Sequence, residues 1–211
     1  MEQARTIQGL RTALSGPLPG HDGFLELSGY KRLDIERARA LDPPPRESAV
    51  LALIYPKPKE LHCLLMVRPV YDGVHSGQVA FPGGKREPED ASLMHTALRE
   101  FAEETGAATH DVEVLGTLSP VYIPPSRMLV TPYVGHLAEL GPLRPDPLEV
   151  ARLIEMPLLH LMREDILKSR EQFVQLMGRS VQIPYFDVDG EAVWGATAMM
   201  LAELRELMQR L

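Results

Sequence analysis

The sequence predicts a mixed α/β domain, and three observations carry that prediction. Two apolar runs of strand length, Ala49–Tyr55 and Leu61–Val67, flank Pro56-Lys57-Pro58-Lys59 and read as a strand pair with a short connector. A stretch rich in Gly and Pro from Tyr71 to Pro88 feeds a helical pattern from about Asp90 to Thr105. Strand-like segments then recur at Val112–Tyr122, Met128–Leu137, Ala151–Glu155, Glu171–Leu176 and Val181–Val188, with Asp189-Gly190 as a turn signal.

Taken in order, residues 4–14 place Ile7, Leu10 and Leu14 at helical spacing, and Leu33 to Ala40 offers a second short helix before the Pro43-Pro44-Pro45 break. Residues 1–45 are therefore expected as an N-terminal helical extension and 46–211 as the main domain. Asp90 is the expected N-cap of the central helix, and Gly106 its stop. From Gly195 the tail carries Met200, Leu201, Leu204, Leu207, Met208 and Leu211 at helical spacing. That stripe fits packing on the sheet, with a partner helix in an oligomer as the alternative. No internal repeat or low-complexity tract interrupts the chain.

Composition excludes several classes of function. With 211 residues, 45% hydrophobic and 24% charged, the chain can bury a core and is neither disordered nor fibrous. Lys and Arg number 22 against 29 Asp and Glu, a net charge of -7, so no sequence-wide basic field exists to hold nucleic acid. A phosphate-bearing substrate would need local cations. Cys63 is alone and cannot close an internal disulfide, and the first ten residues lack a signal-peptide apolar core, so a cytoplasmic location is expected. Apolar runs fall far short of the ~20 residues of a spanning helix, so no membrane segment is expected.

The chemistry concentrates in the central helix. At ~100° per residue, Glu100, Glu103 and Glu104 fall on one arc, while Met94, Leu98, Phe101 and Thr105 cluster on another and are expected to pack. Three carboxylates at i, i+3 and i+4 repel one another. A divalent cation among them reverses that sign, and hard oxygen ligands suit Mg²⁺ or Mn²⁺. Spacing alone also fits a solvated acidic face; the adjacent Gly83 and Gly84 upstream favour a ligand site, because backbone without Cβ can approach a phosphate or a metal closely. Arg99, on the flank of the same helix, is placed to pair with a neighbouring carboxylate and orient it. Arg68 and Lys85 are candidate phosphate contacts, set against a cross-strand ion pair and a solvated lysine respectively. His75 is expected as a loop histidine bonded to backbone. Ser119 and Ser126 have no sequence-evident base, which leaves a serine hydrolase unsupported.

Arg99-Glu100-Phe101-Ala102-Glu103-Glu104-Thr105-Gly106 resembles the core of the Nudix hydrolase signature residue for residue. The family places seven residues between the loop acid and the arginine, whereas eight separate Asp90 from Arg99. Leu64-Leu65-Met66-Val67-Arg68 and Gly77-Gln78-Val79-Ala80-Phe81-Pro82-Gly83-Gly84-Lys85 are similar to the extra box of the coenzyme A pyrophosphatase branch, which tolerates that insertion. Gly73 and Pro69 depart from the branch pattern, where a basic residue and Ser are frequent. Glu149-Val150, Met156-Pro157-Leu158 and Trp194-Gly195-Ala196-Thr197-Ala198 extend the similarity, which spans about residues 48 to 205.

The resemblance implies an α/β/α sandwich with a mixed sheet and hydrolysis of a diphosphate linkage. It implies metal held by Glu100, Glu104, Glu103 and the Gly84 carbonyl, with Glu103 as bridging ligand or base. Coenzyme A or its thioesters is the expected substrate. ADP-ribose, a reduced nicotinamide dinucleotide or a dinucleoside polyphosphate are alternatives, as is a silent nucleotide-sensing module. The resemblance also makes a homodimer an expectation.

Overall fold

The computed structural model describes residues 2–27, 33–58, 60–174 and 178–211. Three helices open the chain: α1 (Glu2–Leu14), α2 (Asp22–Glu26) and α3 (Ile35–Arg39). Then come β1 (Arg46–Pro56), β2 (Leu61–Val67), β3 (Val79–Ala80), β4 (Gly83–Lys85), α4 (Leu93–Thr105), β5 (Glu113–Thr117), β6 (Val121–Ile123), β7 (Met128–His136) and β8 (Arg152–Pro157). Two 3-10 turns lead to β9 (Leu167–Val174), β10 (Arg179–Val188), β11 (Glu191–Val193) and α5 (Gly195–Gln209). Among the described residues no helix is long and apolar enough to cross a membrane.

Several boundaries differ from expectation for physical reasons. The single strand expected over Val112–Tyr122 is two, β5 and β6, because Pro120 in the link between them offers no N–H to continue the ladder. The strand expected at Glu171–Leu176 starts earlier, at Leu167; Gln175 and Leu176 lie outside the described residues, as does Lys59 of the expected connector. The one-turn helix α2 had no periodic signal, being too short to show one.

Strand β1 explains the layering. It pairs in parallel with β7 from Arg46↔Met128 to Ile54↔His136, inside a sheet whose other pairings are antiparallel. A central strand covered on both faces reads as an unbroken apolar run. Its alternate side chains serve two cores: Ala49, Leu51, Leu53 and Tyr55 pack with Ala97 and Phe101 of α4, while Ala52 and Ile54 pack with Leu10 of α1 and Leu201, Leu204 and Leu207 of α5. Each such large side chain contributes about 1.5–3 kcal/mol on burial. The result is an α/β/α sandwich with α4 on one face and α1 and α5 on the other. The stripe of α5 is thus covered within the chain; Leu211, expected on it, is 55% exposed because the helix ends at Gln209. A separate sheet of β9, β10 and β11 joins the larger core through Phe186 and Val193.

This topology positions a loop. The C-terminal half of β1 pairs with β2 (Ile54↔Cys63), but its N-terminal half pairs with β4 (Ala49↔Gly84). The chain therefore leaves β2 and returns to the same edge, fixing Gly83 and Gly84 beside the helix that follows.

Candidate active site

Helix α4 begins two residues later than an Asp90 cap would require. Ser92 is the N-cap, its Oγ accepting the His95 N–H at 3.2 Å, and Gly106 in the left-handed conformation ends the helix with its N–H on the Ala102 carbonyl at 2.8 Å. Asp90 lies two residues too early to reach the first-turn amides and does something else. Its buried carboxylate accepts Arg99 Nε at 3.0 Å and Nη2 at 2.9 Å, the Glu87 N–H at 2.9 Å and the Thr96 hydroxyl at 2.9 Å. The Arg99 guanidinium holds the Asp90 carboxyl well below the usual carboxylate range, and Asp90 in turn raises Arg99. Arg99 spends its remaining donors on Glu103 at 2.7 Å, Glu100 at 3.1 Å and the Lys85 carbonyl at 3.2 Å. Loop and helix are thereby locked together through one side chain.

The three glutamates of α4 do not share one face. Ala97, Phe101, Glu104 and Thr105 form the buried stripe, because Ala97 and Phe101 dock on β1 and set the rotation of the helix. Glu104 therefore points inward, Glu100 sits at the boundary, and Glu103 faces solvent, its side chain 59% exposed and paired with Arg99. Met94, expected to pack, is exposed instead: a first-turn side chain leans back past the start of its helix, where no further turn of α4 lies. Beside Glu100 and Glu104 stands Glu149, from the turn before β8; ligand oxygens of these three lie within 4.8 Å of one another. Two backbone hydrogen bonds bring that turn in, Arg144 N–H to the Thr105 carbonyl at 2.8 Å and Asp146 N–H to the Glu104 carbonyl at 3.1 Å. Sequence reasoning gave Glu149 no role, since no local spacing links it to α4.

The group is short of positive charge. Burial pushes the Glu104 carboxyl up to about 8, and neighbouring Glu100 and Glu149 add to it; Arg68 at 3.9 Å and the Gly83 N–H at 2.7 Å pull it down without cancelling the rise. Burial raises Glu100 too, against the pull of Arg99. A cradle also exists: a Cβ on Gly84 would sit 2.4 Å from the Glu100 carboxylate, so only glycine admits this approach of β4 to α4. Crowded oxygen ligands, incomplete neutralisation and a glycine backbone close to Glu100 fit a divalent cation of the Mg²⁺ type.

On the far side of β4, a cleft of about 550 Å³ opens with Gly83, Gly84 and Arg68 on its wall. Arg68 also donates to the Gly83 carbonyl at 3.3 Å, so its guanidinium stands between the carboxylates and the cleft. The cross-strand ion pair considered for it does not form; its acidic neighbour is Glu104, on the helix. Lys85 is exposed, and its side chain makes no ion pair among the described residues. His75 bonds the Gln78 side chain at 3.1 Å, not backbone as expected, because the turn that sets the Gln78 N–H on the His75 carbonyl at 3.2 Å brings the two residues together.

Comparison with known proteins agrees with this geometry. The family model described as the NUDIX domain matches residues 45–177. The "uncharacterized Nudix hydrolase NudL" of Photorhabdus laumondii is 36% identical over 178 residues, 80% of this chain and 92% of that protein. The "mitochondrial coenzyme A diphosphatase NUDT8" of Mus musculus is 39% identical over 155 residues, 71% of this chain and 70% of that one. Among solved structures, a Nudix hydrolase from M. smegmatis, RenU, superposes with a TM-score of 0.55 at 19% identity, covering 79% of this chain and 88% of its own.

Proposed function

The chain belongs to the Nudix hydrolase family, and from that premise we propose that it hydrolyses the diphosphate linkage of coenzyme A or its thioesters. The products would be adenosine 3',5'-bisphosphate and (acyl-)4'-phosphopantetheine. One observation carries the reading: Arg68 and Gly83–Gly84, which adjoin Glu104 and Glu100 of the three-carboxylate group, also line a cleft large enough for an extended organic substituent. The 39% identity to a protein named as a coenzyme A diphosphatase supports the choice of diphosphate.

Glu100 and Glu104 would hold Mg²⁺ or Mn²⁺ with the Gly84 carbonyl, and Glu149 stands beside them from outside the helix. When bound, the ion supplies positive charge against phosphate oxygens and acidifies water at the site. Arg99 positions Glu100 and the Lys85 carbonyl. Glu103 is already neutralised by Arg99. Glu149 has no ion pair among the described residues and lies in solvent, so it takes the proton as water attacks one phosphorus and the bridging P–O bond breaks. Arg68 meets the charge that develops on the phosphate oxygens. Lys85, solvent-facing at the end of β4, offers a second cation to a phosphate arriving from outside. The single buried Cys63 fits a reducing compartment such as the cytoplasm, and a homodimer belongs to the same reading.

The test is incubation with coenzyme A and Mg²⁺ or Mn²⁺ in ¹⁸O-labelled water, with product masses read out. The two monophosphates, one carrying the label, are expected. Coenzyme A left intact while ADP-ribose or a dinucleoside polyphosphate is cut overturns the choice of substrate; no turnover of any diphosphate returns the chain to a nucleotide-sensing role.

A further inference from the structure

The N-terminal helix α2 lies outside the 45–177 match to the family, yet Phe24 and Leu25 line the same cleft as Arg68 and Gly83–Gly84. Resting on the coenzyme A reading, we infer that this cleft receives the acyl-pantetheine arm of the substrate and that Phe24 and Leu25 set the acyl length it accepts.

Charge decides which end of the substrate enters. Among the described residues lining the cleft, Arg68 is the only Lys or Arg, and it stands at the end next to the carboxylates. A bisphosphorylated nucleoside placed inside would bury phosphate with no counter-charge, which is strongly unfavourable. An uncharged chain suffers no such penalty. Ile183 of β10 and Met199 and Met200 of α5 line the same space as Phe24 and Leu25, and burying methylenes against such a wall is favourable. The volume lies within the ~300–1,000 Å³ of small-molecule pockets. With the diphosphate at Arg68, the nucleotide must point outward and the arm inward.

The wall is held in place. Phe24 stacks on Phe186 of β10, centroids 6.0 Å apart and rings 8° from parallel. Just before α2, the Gly20 N–H donates to Glu203 at 3.0 Å and the His21 ring lies 3.2 Å from the same buried carboxylate. Glu203 belongs to α5, the helix that supplies Met199 and Met200. A rigid wall made by two distant parts of the chain discriminates length better than a loop would.

The experiment is a kcat/KM series over coenzyme A and its acetyl, butyryl, hexanoyl, octanoyl and dodecanoyl thioesters, run on the full chain and on Leu25→Trp and Phe24→Ala. Each methylene that enters should raise kcat/KM by up to about fourfold until the cleft is full. Leu25→Trp should shorten the preferred chain, cutting the octanoyl-to-acetyl ratio at least tenfold, and Phe24→Ala should lengthen it. Should both variants fail to fold, the parent series still decides. Coenzyme A cut with a ratio near one, or a ratio unmoved in a folded Leu25→Trp, overturns this inference and leaves the substrate reading standing. Thioesters and coenzyme A left intact while another diphosphate is cut overturns both.

Discussion

Two helices on opposite faces of the sheet each bury a glutamate to the same degree, and the two carboxylates are treated in opposite ways. Glu203 on α5 and Glu104 on α4 are both 1% exposed. Burial pushes Glu203 up, but His21, the Ser119 hydroxyl at 2.6 Å and the Ser119 N–H at 2.8 Å outweigh it and hold the carboxyl below its ordinary range. Glu104 receives one N–H and a guanidinium at 3.9 Å, and burial wins. A satisfied buried carboxylate ties chain segments together; an under-neutralised one stores a demand for a cation. The first anchors the N-terminal segment to the fold, and the second marks the place where metal and phosphate chemistry belongs.

The comparison can be broken most sharply at Glu104. Glu104→Gln keeps an acceptor for Gly83 but removes the charge, and loss of several kcal/mol of electrostatic stabilisation corresponds to roughly a thousandfold lower kcat. Calorimetry should show weakened Mg²⁺ binding, while the metal-free melting temperature holds or rises. A clear drop in that melting temperature would mean Glu104 is a structural anchor like its counterpart.

Glu203→Leu should behave the other way. The Gly20 N–H, the Ser119 N–H, the Ser119 hydroxyl and the His21 ring lose their partner, and the destabilisation, read by urea unfolding, should be roughly 3 kcal/mol, with metal affinity unchanged.

Solution pH separates the pair next. The native state binds the Glu104 proton more tightly than the unfolded chain does, so metal-free stability at this group falls as pH rises from about 4.5 to about 8. Metal must displace that proton, so affinity should tighten by up to about tenfold per pH unit until about 8. Glu203 has the opposite sign: its stabilisation is present above the ordinary glutamate range and is lost as pH falls through its lowered value. Unfolding and titration calorimetry across pH 4–9, with and without Mg²⁺, resolve the two slopes.

The smallest effect concerns where α4 begins. Ser92→Ala should cost about 1 kcal/mol with little change in turnover, confirming that the cap is Ser92 and that Asp90 serves Arg99.

Much of this site was legible because its parts are close in sequence. Glu100 and Glu104 stand one helical turn apart, Gly83 and Gly84 lie in the strand just upstream of the helix, and Arg99 adjoins Glu100, which it orients. Reading all three glutamates as one acidic face failed at Glu104, since a helical wheel fixes angles between residues but not which angle faces the sheet. Glu149 was invisible as a neighbour for a different reason: the 45 positions separating it from Glu104 are bridged only by the hydrogen bonds of Arg144 and Asp146 to the end of α4. Phe24 was equally silent, lying in a helix of five residues that carries no period.

The sequence by itself determined the strand that runs through the middle of the sheet, the helix with its stop at Gly106 and the glycine loop, together with the family they imply, because each depends on local periodicity and backbone freedom. Tertiary structure alone decided which glutamate is buried, which carboxylate joins from the β8 turn and which end of the chain walls the cleft. Those outcomes depend on how helices rotate and dock on the sheet, and that is set by the sum of contacts between residues far apart in the chain.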